Sequence, residues 1–280
     1  MRYDFTILGI AQDGGFPQFG CNLNCCQNIP IHTNFISSAA IIDNKLKEYW
    51  LIDVTPEFRY QFNLIKHKVN SITPKGIFIT HAHSGHYTGL IEFGKEVLNS
   101  KSIPVHVMPK MLEYLKSDNP WKNLINQENL HLIKMNNAEN IIIDRDINIT
   151  PFLVNHRQEI AETVGFRIIG PNIKIIYLPD IDNWDEIALQ NMVQKNDYLF
   201  IDGTFYNHNE LQHRNIENIP HPSIEKTIEL LNAMNTKDKN KVHFIHLNHT
   251  NNAIKKNSRI YKEIYSKKFK ISSEGMKIYL

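Results

Sequence analysis

The run Thr80-His81-Ala82-His83-Ser84-Gly85-His86 follows the apolar stretch Ile77-Phe78-Ile79. In an extended strand end, residues i and i+2 point the same way, so His81 and His83 present two imidazoles to one point. After a turn through Ser84-Gly85, His86 starts a helix and faces the same pocket from another direction. Neutral imidazole is the commonest metal ligand, and zinc sites are assembled from such groups, so the expected chemistry is metal-assisted. Further along, His156, Asp180 and His246 each close an apolar run, in FLVNH, IYLPD and FIH. A second set of donors consists of Cys21, Cys25 and Cys26, all within GCNLNCC. An odd, clustered set of cysteines argues against a disulfide framework and for a metal or redox role. A closed tetrahedral zinc on three thiolates needs a fourth ligand.

These residues must be positioned by short β-rich runs, which recur throughout: YDFTILGI, SSAAIID, EYWLIDV, KGIFIT, IPVHVM, IIIDRDINITPFLV, ETVGFRI, IKIIYLP, YLFIDG and VHFIHL. Helical patterns lie between some of them. Ile224, Ile228 and Leu231 predict one helix, with Ser223 as its N-cap. GFRIIGPNIKIIYLP predicts a hairpin turning at Gly170-Pro171-Asn172. No linker, repeat or low-complexity segment interrupts the chain, so a single domain over 1–280 is expected. The mixture points to a layered α/β sandwich rather than a doubly wound parallel sheet.

Composition removes other classes. With 31 Lys+Arg against 29 Asp+Glu the formal charge is +2, so a dedicated duplex-binding module is excluded. No apolar run reaches the length of a membrane span, and the N-terminus lacks the layout of a signal peptide. The expected setting is cytoplasmic, with a small-molecule substrate, no membrane, nucleic acid only as a substrate if at all, and with a homodimer left open. The lysine-rich KKNSRIYKEIYSKKFK reads as a solvated helix face and final strand.

The histidine run followed in order by His156, Asp180 and His246 resembles the metallo-β-lactamase-fold hydrolases, whose signature is H-x-H-x-D-H after a strand. Gly85 stands where that family has aspartate. The resemblance implies an α/β fold, a four-layer αββα sandwich with a metal site at one sheet edge. Within the superfamily, GGFPQ, HYTGL, ETVGFRI, YLPDID, DGTF and FIHLNHTN are similar to the pyrroloquinoline quinone biosynthesis B family. Similarity to the cyclic phosphodiesterases of phosphonate breakdown is weaker.

The resemblance implies one metal on His81, His83 and His156 and a second on His86 and His246, with Asp180 bridging. Because Gly85 supplies nothing, one metal, or one tight and one loose, is expected. Asp13, in AQDGGFPQ, is a candidate replacement carboxylate, and on this mapping Gly85→Asp is expected to raise occupancy of the second position. The phosphonate-pathway relatives imply His249 as fourth ligand of a structural zinc on Cys21, Cys25 and Cys26, although their own spacing is C-x-C-x2-C. His221 is expected to face substrate, to donate a proton or bind an oxyanion, and with Asp180 forms the expected catalytic pair. Arg157 and Glu159 are candidates to orient substrate or the His156 imidazole. Asp202 resembles a family position but has no role from spacing alone.

The expected activity is a metal-dependent hydrolase using a metal-activated water on an ester bond, with a small or cyclic phosphodiester first among substrates. One alternative is a step in quinone cofactor biosynthesis, oxidative and iron-dependent. Another is a non-catalytic binding protein on the same fold. The expected cofactors are a structural Zn2+ and one or two catalytic metals, with Zn2+, Mn2+ or Fe2+ at the catalytic site.

Overall fold

The computed structural model describes residues 1–211 and 220–280 and places them in two seven-stranded sheets. The first sheet contains β1 (Tyr3–Gly9), β2 (Ser38–Asp43), β3 (Glu48–Ile52), β4 (Gly76–Phe78), β5 (Ile103–Val107), β6 (Leu130–Lys134) and β14 (Lys277–Tyr279). Its order is β14-β1-β2-β3-β4-β5-β6. The second contains β7 (Ile141–Asp144), β8 (Ile147–Val154), β9 (Thr163–Ile169), β10 (Lys174–Leu178), β11 (Tyr198–Asp202), β12 (Val242–Ile245) and β13 (Lys270–Ile271), in the order β13-β12-β11-β10-β9-β8-β7. Each sheet has three antiparallel pairings on one side and three parallel pairings on the other.

Alternation along the strands explains the layering. In β2, Ile41 faces the core between the sheets while the adjacent Ile42 belongs to a second core under the outer helices. Between the sheets, the Phe5 ring lies 6.1 Å from Tyr177 and 5.3 Å from Phe200, and Phe78 lies 5.8 Å from Phe166. Each such buried ring contributes roughly 2–3 kcal/mol. Helix Pro109–Ser117 lays Met111 and Leu115, one turn apart, on the outer face of the first sheet. Helix Ile224–Leu230 buries Ile224 and Ile228, and its N-cap Ser223 accepts from the Lys226 amide at 3.1 Å. The expected αββα arrangement is therefore observed.

The predicted hairpin forms, with the Gly170 amide donating to the Ile173 carbonyl at 2.9 Å. The lysine-rich stretch forms helix Arg259–Ser266, which buries Ile264 alone before short β13. Strand β6 was not anticipated, because only Leu130 of its residues is fully buried. Among the described residues, no helix is long and apolar enough to cross a membrane.

One local expectation needs correction. Strand β4 ends at Phe78, so His81 and His83 stand on the loop beyond it and not on its extended end. Ser84 and Gly85 are not a turn but the first residues of helix Ser84–Tyr87, with His83 as its N-cap. The His86 carbonyl accepts from the Val54 amide and the Val54 carbonyl from Gly89, locking that helix against the end of β3.

Candidate metal centre

Every candidate ligand of the histidine cluster stands just past the C-terminal end of a strand, so the loops converge at one edge of the sandwich. Asp13 follows β1; His81, His83 and His86 follow β4; His156, Asp180 and His246 follow β8, β10 and β12. The ligand atoms of His81, His83, His156 and Asp180 all lie within 4.8 Å of one another, as do those of Asp13, His86 and His246. Asp180 stands between the two groups. Its Oδ1 is 3.4 Å from His156 Nε2, and its Oδ2 is 3.3 Å from Nε2 of both His86 and His246 and 3.8 Å from His81 Nε2.

Most of these atoms are buried without a hydrogen-bond partner: Nε2 of His81, His86, His156 and His246, Asp13 Oδ1 and Asp180 Oδ2. A buried polar atom left unpaired costs about 1–3 kcal/mol, and native structures hold few of them. Six converging on one volume are explained by divalent cations, which would pair them together. Protonation agrees with this for three rings; at His86 burial opposes protonation but Asp53 and Asp13 outweigh it and hold the ring well above its usual value, so a cation there would have to displace a proton. Burial pushes His83 down to about 4 and lowers His81 and His156, which keeps these imidazoles in the neutral form that binds metal.

Two fully buried carboxylates orient the rings. Asp53 Oδ2 accepts from His86 Nδ1 at 2.7 Å, and its oxygens accept from Thr80 Oγ1 at 2.9 and 3.0 Å. That leaves the Thr80 oxygen to accept from His81 Nδ1 at 2.9 Å. On the second sheet Asp202 Oδ2 accepts from His221 Nδ1 at 2.7 Å, and its Oδ1 from Thr204 Oγ1 at 2.8 Å. The Thr204 oxygen accepts in turn from His246 Nδ1 at 3.0 Å. His156 Nδ1 donates to Asp182 Oδ1 at 2.9 Å. The network thus places a proton on Nδ1 of His81, His86, His156 and His246 and turns their Nε2 atoms toward the position a cation would take. Asp53 and His246 both have φ of 60°, a left-handed backbone that non-glycine residues adopt at a cost on the order of 1–3 kcal/mol. The strain falls on a residue that orients a ring and on a ring that would bind.

Asp13 takes the place left by Gly85. Its Oδ1 lies 3.2 Å from His86 Nε2 and 3.7 Å from His246 Nε2. Burial opposes its ionisation, but His246 and His86 outweigh burial and hold the carboxyl well below its usual range. A Cβ built on Gly85 would sit 2.3 Å from Asp13 Oδ1 and 2.9 Å from its Cα. A side chain at position 85 and the Asp13 carboxylate therefore exclude each other. The expectation that Gly85→Asp raises occupancy of the second position is overturned, because the space it needs is filled.

The three cysteines converge with His249, as expected. Cys25 Sγ is 3.9 Å from both Cys21 Sγ and Cys26 Sγ, and His249 Nδ1 is 3.4 Å from Cys25 Sγ and Cys26 Sγ. A tetrahedral zinc with Zn–S of about 2.3 Å sets its sulfurs about 3.8 Å apart, so the geometry fits. Burial raises the Cys25 thiol and pushes Cys26 up to about 12, and a bound dication is what would ionise them. Cys25→Ser is expected to abolish zinc binding here and to lower the melting temperature by roughly 5 °C, about 2 kcal/mol in a domain of this size, before it lowers activity. Zinc content and thermal denaturation check this. An unchanged zinc content would leave these cysteines as plain thiols.

His221 lies beside the cluster, where it groups with Asp180 and His246. Burial opposes its protonation, Asp202 outweighs burial, and its pKa is pushed up to about 9. Arg157 lines the same opening as His83, Asp180 and His221. Glu159 is exposed and does not line it; the carboxylate that orients His156 is Asp182. Asp53, Thr80, Asp182 and Thr204 carry no ligand-spacing signature in the sequence, and Asp202 has no role from spacing alone. The signal available was a carboxylate closing an apolar strand, in EYWLID and YLFID.

Two facing mixed sheets flanked by helices, with histidines and aspartates gathered at one edge, define the metallo-β-lactamase fold. The chain belongs to the β-lactamase superfamily, whose domain matches residues 49–246. It is similar to the coenzyme PQQ synthesis protein B of Acinetobacter baumannii (strain ACICU), with 24% identity over 98% of this chain and 99% of the relative. The protein of that name from Klebsiella pneumoniae (strain 342) is 25% identical over 98% of this chain and 97% of its own. Among solved structures, Zn2+-bound PqqB from Methylobacterium extorquens superposes with a TM-score of 0.82 at 18% identity, covering 99% of this chain and 100% of that one. A diphosphatase of the PhnP family superposes with a TM-score of 0.70 at 20% identity, covering 100% and 98%.

Proposed function

We propose that this protein is a metal-dependent hydrolase of a small or cyclic phosphodiester, with two catalytic metal positions. The observation that carries the reading is the convergence of six unpartnered buried donor atoms on a volume that opens beside Arg157 and His221. His81, His83 and His156 would hold one metal, Asp13, His86 and His246 the other, and Asp180 would bridge them. Divalent cations held by these residues would supply Lewis-acid charge for a phosphoryl oxygen and a lowered pKa for a water. The protein supplies the rest. Arg157 at the opening orients the anionic ester, and the buried Asp53 and Asp202 keep the rings from turning. His221 carries its proton on the side facing Asp202 and, held cationic by that carboxylate, delivers a proton to the leaving oxygen from Nε2.

His221→Gln is accordingly expected to lower kcat by on the order of 10²-fold with little change in metal content, since proton transfer of this kind contributes 10²–10⁴-fold. Steady-state kinetics with elemental analysis on one preparation checks this. A fall in KM-dependent terms alone would assign His221 to binding.

A second reading, a step in quinone cofactor biosynthesis, is favoured by the near full-length similarity to proteins named for coenzyme PQQ synthesis. Histidine and carboxylate ligands also suit Fe2+. One experiment separates the two: metal analysis of protein purified without added metal, followed by phosphodiester hydrolysis and oxygen uptake. Zinc or manganese with hydrolysis supports the first reading. Iron with oxygen consumption and no hydrolysis overturns it in favour of the second.

A further inference from the structure

Two cavities open beside the metal positions, and the one residue lining both is Asp13. The first, about 280 Å³, is the polar opening walled by His83, Asp180, Arg157 and His221. The second, about 560 Å³, lies beyond Asp13 and is walled largely by apolar side chains, among them Pro17, Ile29 and Ile36, with Phe19 and Ile31. Phe19 and Ile31 are 97% and 80% exposed. A single exposed apolar residue is ordinary, but two on the lip of one cavity that adjoins a ligand cluster across Asp13 mark a binding surface. Of the two carboxylates that line this cavity, Asp13 lies against the His86 and His246 rings and Glu57 is already engaged: its Oε1 accepts from His32 Nδ1 at 2.9 Å and its Oε2 from the Ile36 amide at 2.8 Å. The cavity therefore has little to offer a charged group.

Resting on the hydrolase reading above, we propose that the substrate is amphiphilic. Its anionic ester head occupies the polar opening, and an uncharged apolar group passes Asp13 into the larger cavity under Phe19 and Ile31. The volume is within the 300–1,000 Å³ range of small-molecule sites, whereas the polar opening alone falls below it. The occupant is part of the substrate and not a protein segment, because the cavity shares a wall, Asp13, with the polar opening and with the ligand set.

The test uses the metal-loaded full chain and a series of n-alkylphosphonates from methyl to octyl, with affinities from titration calorimetry. Affinity is expected to rise about threefold per added methylene until the cavity is filled. In the double variant Phe19→Ser/Ile31→Ser, both positions being exposed, methylphosphonate should bind as before while the gain per methylene falls. Methylphosphonate binding with no dependence on chain length, or a dependence unchanged in the double variant, would overturn the inference and leave the hydrolase reading standing. Failure of every member to bind, methylphosphonate included, would overturn the phosphodiester reading and the inference with it.

Discussion

Asp180→Ala is expected to empty both catalytic positions and to lower any hydrolytic turnover by on the order of 10³-fold or more. Asp180 directs one oxygen to His156 and the other to His86, His246 and His81. It is the carboxylate that touches both ligand groups, so its loss removes the anion that would offset the repulsion between two adjacent dications. Charge stabilisation by metals is worth several kcal/mol, and each 1.36 kcal/mol is a factor of ten in rate. His81→Ala, by contrast, should empty the first position while retaining metal at the second, and should also abolish turnover. Both ligands sit on loops at a sheet edge, so the fold should survive in each variant, which circular dichroism verifies. Elemental analysis distinguishes the variants. Asp180→Ala protein that keeps two metals per chain would show that the carboxylate does not bridge.

The second large effect concerns Asp13 and Gly85 as alternative sources of one carboxylate. Asp13→Gly is expected to weaken metal binding at the second position by roughly 10–100-fold or more, since losing a group that only orients a ligand already costs that much. Gly85→Asp alone should also weaken it, because the new side chain collides with the Asp13 carboxylate. Helix position 85 has ordinary backbone, so aspartate itself is tolerated once space exists. In the double variant Asp13→Gly/Gly85→Asp the carboxylate clash is gone, but a Cβ at residue 85 still meets the residue 13 Cα at 2.9 Å, so the loop must move and only part of the affinity is expected to return. Metal affinity in all four proteins forms the cycle that checks this. Additive losses in the double variant would show that the two side chains do not share one place.

How far the site was legible in advance depended on whether neighbours in sequence are neighbours in space. His81, His83 and His86 declare themselves because histidines two and three residues apart past an apolar strand have few structural uses, and His156, Asp180 and His246 each end a strand in the same way. Asp53 was not legible. In EYWLID it resembles any polar strand terminator, and its role exists only because helix Ser84–Tyr87 turns back onto residue 54. Asp13 could be named as a candidate but not decided, since a turn aspartate before two glycines is common. The decisive fact, the absent Cβ at residue 85, lies far along the chain. Strand β6 escaped for a different reason: at an edge, with one buried residue, it lacks the alternation that marks a strand.

The convergence of loops from both sheets has a consequence for how the protein acquires its metals. Three of the donor groups draw on both halves: His81 and His83 with His156, His86 and Asp13 with His246, and the cysteines with His249. In the last, Cys25 and His249 are 224 residues apart. Neither sheet alone supplies any of these three groups, so a cation at one of them would join only after the sheets have docked and would then tie one half to the other. Metal supply would therefore govern not only activity but the lifetime of the sandwich itself, because a cation bound only to the folded form adds RT ln(1 + [L]/Kd) to its stability, about 2.7 kcal/mol at a hundredfold excess over Kd. In a metal-starved cell, newly made chains would be held shut by the apolar core alone, and the seam between the sheets would be the first place to open.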